Sequence, residues 1–96
     1  MYESKIQSTE TDALFQAILS LKNEEECYRF FEDVCTIKEI RDIAQRLEVA
    51  RMLKSGDTVA SIAQRTGAST TTVSRVNRCL QYGTGGYALV LDRNTK

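Results

Sequence analysis

An all-α domain is predicted by three features of this sequence. None of its 96 residues is proline and only five are glycine, so little interrupts a helix. Apolar residues recur at three- and four-residue spacing, the period of a helix with one buried stripe. Asn23 with Glu26, and Thr36 with Glu39, each place a capping side chain three residues ahead of a glutamate, the signature of a helix start.

The elements follow in order. The first dozen residues are polar and expected to fray. From about Thr11, "ALFQAILSL" sets Leu14, Ile18 and Leu21 on one stripe, widened by Phe15 and Leu19. Asn23 caps a second helix with acids in its first turn, where the macrodipole favours them, and with apolar Cys27, Phe30, Phe31 and Val34 beyond. Thr36 opens the third and longest helix, "IKEIRDIAQRLEVARMLKSG", which stops at Gly56. Ile37, Ile40, Ala44, Leu47 and Ala50 form its stripe, while Ile43, Val49, Met52 and Leu53 fall outside it. A helix apolar on more than one side needs more than one cover, and in so short a chain a second subunit is the natural source.

Thr58 caps the short helix "VASIAQR", Gly67 ends it, and Ser69 or Thr70 starts another that runs to about Tyr82. Gly83, Gly85 and Gly86 stop that helix. The run "YALVLDRN" suits a strand or a short helix, and helix is preferred because no second strand exists to pair with it. The organisation expected is one domain over residues 1–96. Residues 11–57 would be association helices, 58–82 a helix-turn-helix, and 83–96 a short helix and tail.

Composition narrows the function. Formal net charge is zero, yet residues 1–57 hold twelve acids against eight bases, whereas residues 58–91 hold Arg65, Arg75 and Arg78 and no acid. A local basic field of this kind suits a polyanion. The three cysteines, Cys27, Cys35 and Cys79, lack metal-ligand spacing and histidine is absent, so free thiols are expected and neither a metal site nor a histidine-dependent nucleophile. Glu32 and Asp33 are neighbours in sequence and do not face one site on a helix; no catalytic residues are expected. "YGTGGY" lacks the preceding strand and following Lys-Ser/Thr of a phosphate loop and reads as a helix stop. No run approaches the ~18 apolar residues of a membrane span, and "MYESKIQSTETD" has no apolar signal region, so a cytoplasmic protein with no membrane partner is expected.

Two short helices around a glycine turn form the helix-turn-helix pattern. Ala63 is small where the helices cross, Gly67 supplies a left-handed turn residue, and Ile62, Ala68, Val73 and Val76 sit where the pair faces its core. Thr66 departs from the aliphatic residue commoner at its position. A plain helical hairpin explains those positions equally well, but not "STTT" with Ser74, Arg75 and Arg78 and no acid. A recognition helix enters the major groove by its N-terminal residues, where hydroxyls reach base edges or phosphates and backbone N–H groups favour phosphate. Thr58, Ser69, Thr70, Thr71, Thr72, Ser74, Arg75 and Arg78 are therefore the candidate contacts to double-stranded DNA.

The stretch "TIKEIRDIAQRLEVARMLKSGDTVASIAQRTGASTTTVSRVNRCL" resembles the Trp repressor family, and the chain as a whole resembles its YerC/YecD-type members. The similarity covers roughly residues 11–91 and is most specific over 36–80. It implies a Trp-repressor-like all-α subunit whose N-terminal helices intertwine in a homodimer, a transcriptional regulator reading a palindromic operator. By the same resemblance, an effector pocket falls on Thr36, Arg46, Arg75, Val76 and Cys79. Val76 stands where the family's repressor has glycine beside the indole, and Cys79 where it has serine. A valine intrudes on a flat ring and a lost hydroxyl removes a polar contact, so the effector expected is not tryptophan, or there is none, and no cofactor is implied. The alternative is a protein-interaction module that keeps this fold without specific DNA binding.

Overall fold

The computed structural model describes residues 2–94. Met1, and Thr95 and Lys96 at the end of the expected tail, lie outside the described residues. Among the described residues there are six α-helices and no strand: α1 (Thr9–Leu19), α2 (Glu24–Val34), α3 (Ile37–Lys54), α4 (Val59–Thr66), α5 (Thr70–Tyr82) and α6 (Gly86–Asn94). None of them is long and apolar enough to cross a membrane. The chain divides into two compact units, Met1–Ile37 and Lys38–Lys96.

In the first unit α1 begins earlier than the sequence suggests. Ser8 is its N-cap, with Oγ accepting from the Thr11 N–H at 3.0 Å, so the helix is anchored at Thr9 where fraying was expected. Leu21, assigned to the first stripe, lies beyond the end of α1 at Leu19. Asn23 caps α2 as expected, its Oδ1 accepting from the Glu26 N–H at 2.9 Å. The return bond differs: Glu26 Oε1 accepts from the amide of Lys22, one residue before the cap, at 2.9 Å. Phe30 and Phe31 meet edge to face, ring centroids 5.3 Å apart. Neither α1 nor α2 buries a residue. Leu19 stays 77% exposed and Tyr28 62%, so these two amphipathic helices lack a core of their own.

The second unit has one. Val49, Ala50, Met52, Ile62, Ala68, Val73, Val76 and Leu91 are buried, with Leu53, Ala63, Leu80 and Tyr87 packed against them. On α3 the buried residues are Val49, Ala50 and Met52, so the core face is not the stripe read from the sequence. Only Ala50 of that stripe is buried; Leu47 remains 41% exposed. The reason is positional, because α4, α5 and α6 supply cover at the C-terminal half of α3, where Val49 and Met52 stand.

The end of α3 is a Schellman turn. Gly56 has φ +90°, its N–H donates to the Leu53 carbonyl at 3.0 Å, and the Asp57 N–H reaches back to Met52 at 3.1 Å. Thr58 then caps α4, its Oγ1 accepting from the Ser61 N–H at 3.1 Å. The ambiguous run at the end is helical: α6 buries Leu91, and Asp92 forms an ion pair with Lys54 of α3.

Candidate nucleic-acid interface

Three residues, Gly67, Ala68 and Ser69, join α4 to α5. Gly67 takes φ +79°, ψ 0°, the left-handed conformation that disfavours any residue with a Cβ. Its N–H donates to the Ala63 carbonyl at 3.0 Å. Ala68 buries itself beside Ile62, Val73 and Val76, which fixes α5 on α4 through side chains rather than through the loop. Thr66 explains its own departure from an aliphatic residue. Its hydroxyl donates to the Ile62 carbonyl at 2.7 Å and accepts from the Ala68 N–H at 3.1 Å, so it satisfies one backbone group on each side of the turn. Gln45 of α3 adds a bond to the Thr66 carbonyl at 3.2 Å. Sequence reasoning missed both roles, since neither residue carries a capping spacing.

With Val73 and Val76 turned inward, the other face of α5 is left to solvent. Ser69 is the N-cap, its Oγ accepting from the Thr72 N–H at 3.0 Å and donating to Thr72 Oγ1 at 3.0 Å. Capping therefore occupies two of the five hydroxyls. Thr70, Thr71 and Ser74 keep theirs free of protein partners among the described residues, and with Arg75 and Arg78 they line a shallow cavity of about 380 Å³. Thr58 is exposed and engaged as the cap of α4.

The arginines are not equivalent. Arg65 has an acid in reach, Asp57 at 3.7 Å, although none follows it nearby in sequence. Arg75 and Arg78 have no carboxylate within ion-pair distance among the described residues, nor does Arg46. The acids flanking Arg46 on α3 are taken by others, Asp42 by Lys38 at 2.7 Å and Glu48 by Arg51 at 2.6 Å. The Glu48–Arg51 pair is two-pronged, with Nε to Oε1 at 2.9 Å as well. That hydrogen bond holds the Glu48 carboxyl below its ordinary value, with the charges of Arg51 and Arg65 adding to it and partial burial opposing. Glu48 and Arg65 border a groove of about 370 Å³ shared with Ala44, Gln45, Met52 and Thr66.

A further recess of about 250 Å³ lies on the inner flank of α5. Arg46 of α3, Thr72, Arg75, Val76 and Cys79 of α5, and Tyr87 of α6 line it. Four of the five residues assigned to an effector pocket thus stand around one space. The fifth, Thr36, precedes α3 in the first unit and is exposed. Tyr87 was not expected there, because its position depends on the register of α6, which the sequence left open.

The all-helical fold is shared with solved structures of similar sequence. Residues 9–95 match the family described as Trp repressor protein, and the chain belongs to it. It is 59% identical to the uncharacterised protein YerC of Bacillus subtilis (strain 168) over 93 residues, 97% of this chain and 89% of that one. A crystal structure of a TrpR-like protein from Eubacterium eligens ATCC 27750 superposes with a TM-score of 0.89 at 56% identity, covering 93% of this chain and 92% of the other. A Staphylococcus aureus crystal structure matches with a TM-score of 0.89 at 54% identity, over 93% of this chain and 89% of that one.

Proposed function

We propose that this protein is a sequence-specific DNA-binding repressor that acts as a homodimer on a palindromic operator. One observation carries the reading: the exposed face of α5 presents Thr70, Thr71, Ser74, Arg75 and Arg78 together, with no acid and no competing protein partner. Phosphate is the counter-charge that two unpaired guanidinium groups at one helix face call for. The free hydroxyls, two in the first turn of α5 and Ser74 about a turn further on, are placed for base edges or backbone oxygens. α4 and α5 serve as the helix-turn-helix of residues 58–82, and Thr58, Ser69 and Thr72 hold its two helix starts in position for contact.

Dimerisation through residues 11–57 is supported by the first two helices, which carry Phe15, Leu19, Tyr28 and Val34 exposed and bury nothing. Apolar surface of that extent marks an association site. A second copy supplies the cover and sets two α5 helices side by side for two half-sites. The effector is not tryptophan in this reading, because Val76 and Tyr87 both stand at the recess that a flat ring would have to enter.

The test is selection of bound duplexes from a random pool by the full chain, followed by the salt dependence of binding to the winner. Recovery of a palindromic sequence whose affinity falls with salt is expected. Failure to enrich any duplex, together with nuclease-insensitive recovery of one stoichiometric protein partner, would instead favour the interaction module.

A further inference from the structure

Gln45, Val49 and Met52 follow one another at steps of four and three residues on α3, so they share one face of the helix. Val49 and Met52 are buried with Ile62 and Val73, whereas Gln45, a turn earlier, is half-buried. Its cover is polar. Gln45 Nε2 donates to the Thr66 carbonyl at 3.2 Å, the Thr66 hydroxyl accepts from the Ala68 N–H at 3.1 Å, and the next residue, Ser69, caps α5. Gln45 and the start of α5 are thus joined through one residue, Thr66.

The opposite side of α3 has a different character. Ile43 and Leu47 lie two residues either side of Gln45, and at about 100° per residue they stand about 200° round the helix from it. Both are exposed, and both belong to the surface that a second copy covers in the dimer proposed above. So α3 carries an association face and, across the helix from it, a face that grips the end of α4. Apolar burial resists separation but is non-directional, and Met52 is among the most adaptable of core side chains. An amide donor on a carbonyl has a preferred direction. It therefore fixes the rotation of α4 against α3 where packing alone leaves it loose.

We infer that Gln45 is a positioning residue: by holding Thr66 it fixes where α5 stands relative to the association face of α3, and so sets the spacing between operator half-sites. The inference rests on the reading of the protein as a DNA-binding dimer. Two reading helices fixed to one association surface meet the major groove only at a set separation, which the half-site spacing mirrors. Without the bond α5 spreads over more orientations. The competent fraction of the free protein then falls, and apparent affinity falls with it. Gln45 acts through Thr66 and touches no phosphate, so the salt dependence of binding stays as it is.

Gln45→Met keeps the length of the side chain and removes the donor. The full chain is titrated with the palindrome selected by the wild type, and with versions carrying one base pair more or fewer between the half-sites. Wild type should prefer the selected spacing. Gln45→Met should bind that spacing about three- to tenfold more weakly, the net value of one hydrogen bond, and lose its preference by a similar factor, with the wild-type salt slope. Lys54→Met removes instead the ion pair between α3 and Asp92 of α6 and should keep the preference. An unchanged preference in Gln45→Met, or an equal loss in both variants, would overturn the inference. So would a reduced salt slope, because Gln45 would then act at the phosphates. Residual dipolar couplings of the DNA-free protein separate the tie from the DNA reading. α5 should hold one orientation relative to α3 in wild type and lose order in Gln45→Met. That result upholds the hold of Gln45 on α5 even where no duplex binds, and identical couplings in the two proteins reject it.

Discussion

Gln45 Nε2 donates to the main-chain carbonyl of Thr66 at 3.2 Å, tying the middle of α3 to the last residue of α4. The same threonine spans the turn with its hydroxyl, between the Ile62 carbonyl and the Ala68 N–H. The angle at which α5 leaves α4 is thus held by polar bonds at a half-buried position as well as by the core beneath.

Thr66→Val keeps the shape and removes both hydroxyl bonds. A loss of about 1 kcal/mol in unfolding free energy is expected, read from urea denaturation. Unchanged or increased stability would mean that the aliphatic residue commoner at this position is the better one and that the bridge contributes nothing.

Gly67→Ala isolates backbone conformation from crowding, because a Cβ there would meet nothing within 4 Å while φ is +79°. The whole cost, about 1 kcal/mol, should appear as conformational strain. Gly67→Asn should recover part of it, since asparagine tolerates the left-handed region. Equal stability of the alanine variant and wild type would contradict the turn geometry.

The Glu48–Arg51 pair makes a prediction about pH. The carboxyl of Glu48 lies below its ordinary value of 4.5 in the folded chain because Arg51 hydrogen-bonds it. A depressed carboxylate contributes stability that is present above the unfolded pKa and lost as pH falls through the folded one. The pair is largely exposed, so the effect is small. Melting curves of wild type and Glu48→Gln should differ near neutrality and converge as the solution is acidified below the ordinary carboxylate range. A difference that widens in acid would reverse the sign and refute the assignment.

If α1 and α2 are covered by a second copy, charge placed on them should abolish association. Sedimentation of the wild type is expected to give a dimer, and Phe15→Glu with Leu19→Glu a monomer or an unfolded chain. A monomeric wild type at micromolar concentration would remove the dimer from the account.

The helix-forming part of this molecule was legible because its signals are local. Caps at Asn23, Thr58 and Ser69, and the glycines at 56 and 67, act on residues within one turn of themselves, and the structure places them as read. Ile62, Ala68, Val73 and Val76 were legible as core for a related reason: in so short a helical pair, periodicity leaves one inward face. The core face of α3 was not, since a helix apolar on more than one side does not say which side its neighbours cover. Tyr87 and Gln45 were invisible for the same cause, their roles depending on contacts far along the chain. The charge of residues 58–91 misled in one respect, because Arg65 finds Asp57 just outside that run. Only Arg75 and Arg78 are left as the unpaired pair on α5.

Those two arginines carry the central claim, and the salt dependence of DNA affinity tests it most directly. For the wild type, log affinity should fall linearly with log salt on the duplex it selects. Arg75→Ala and Arg78→Ala should each weaken binding and reduce the slope by about 1 per phosphate contact removed. A salt-independent affinity, or slopes in both variants equal to the wild type, would contradict the account of α5 as the DNA-contacting helix.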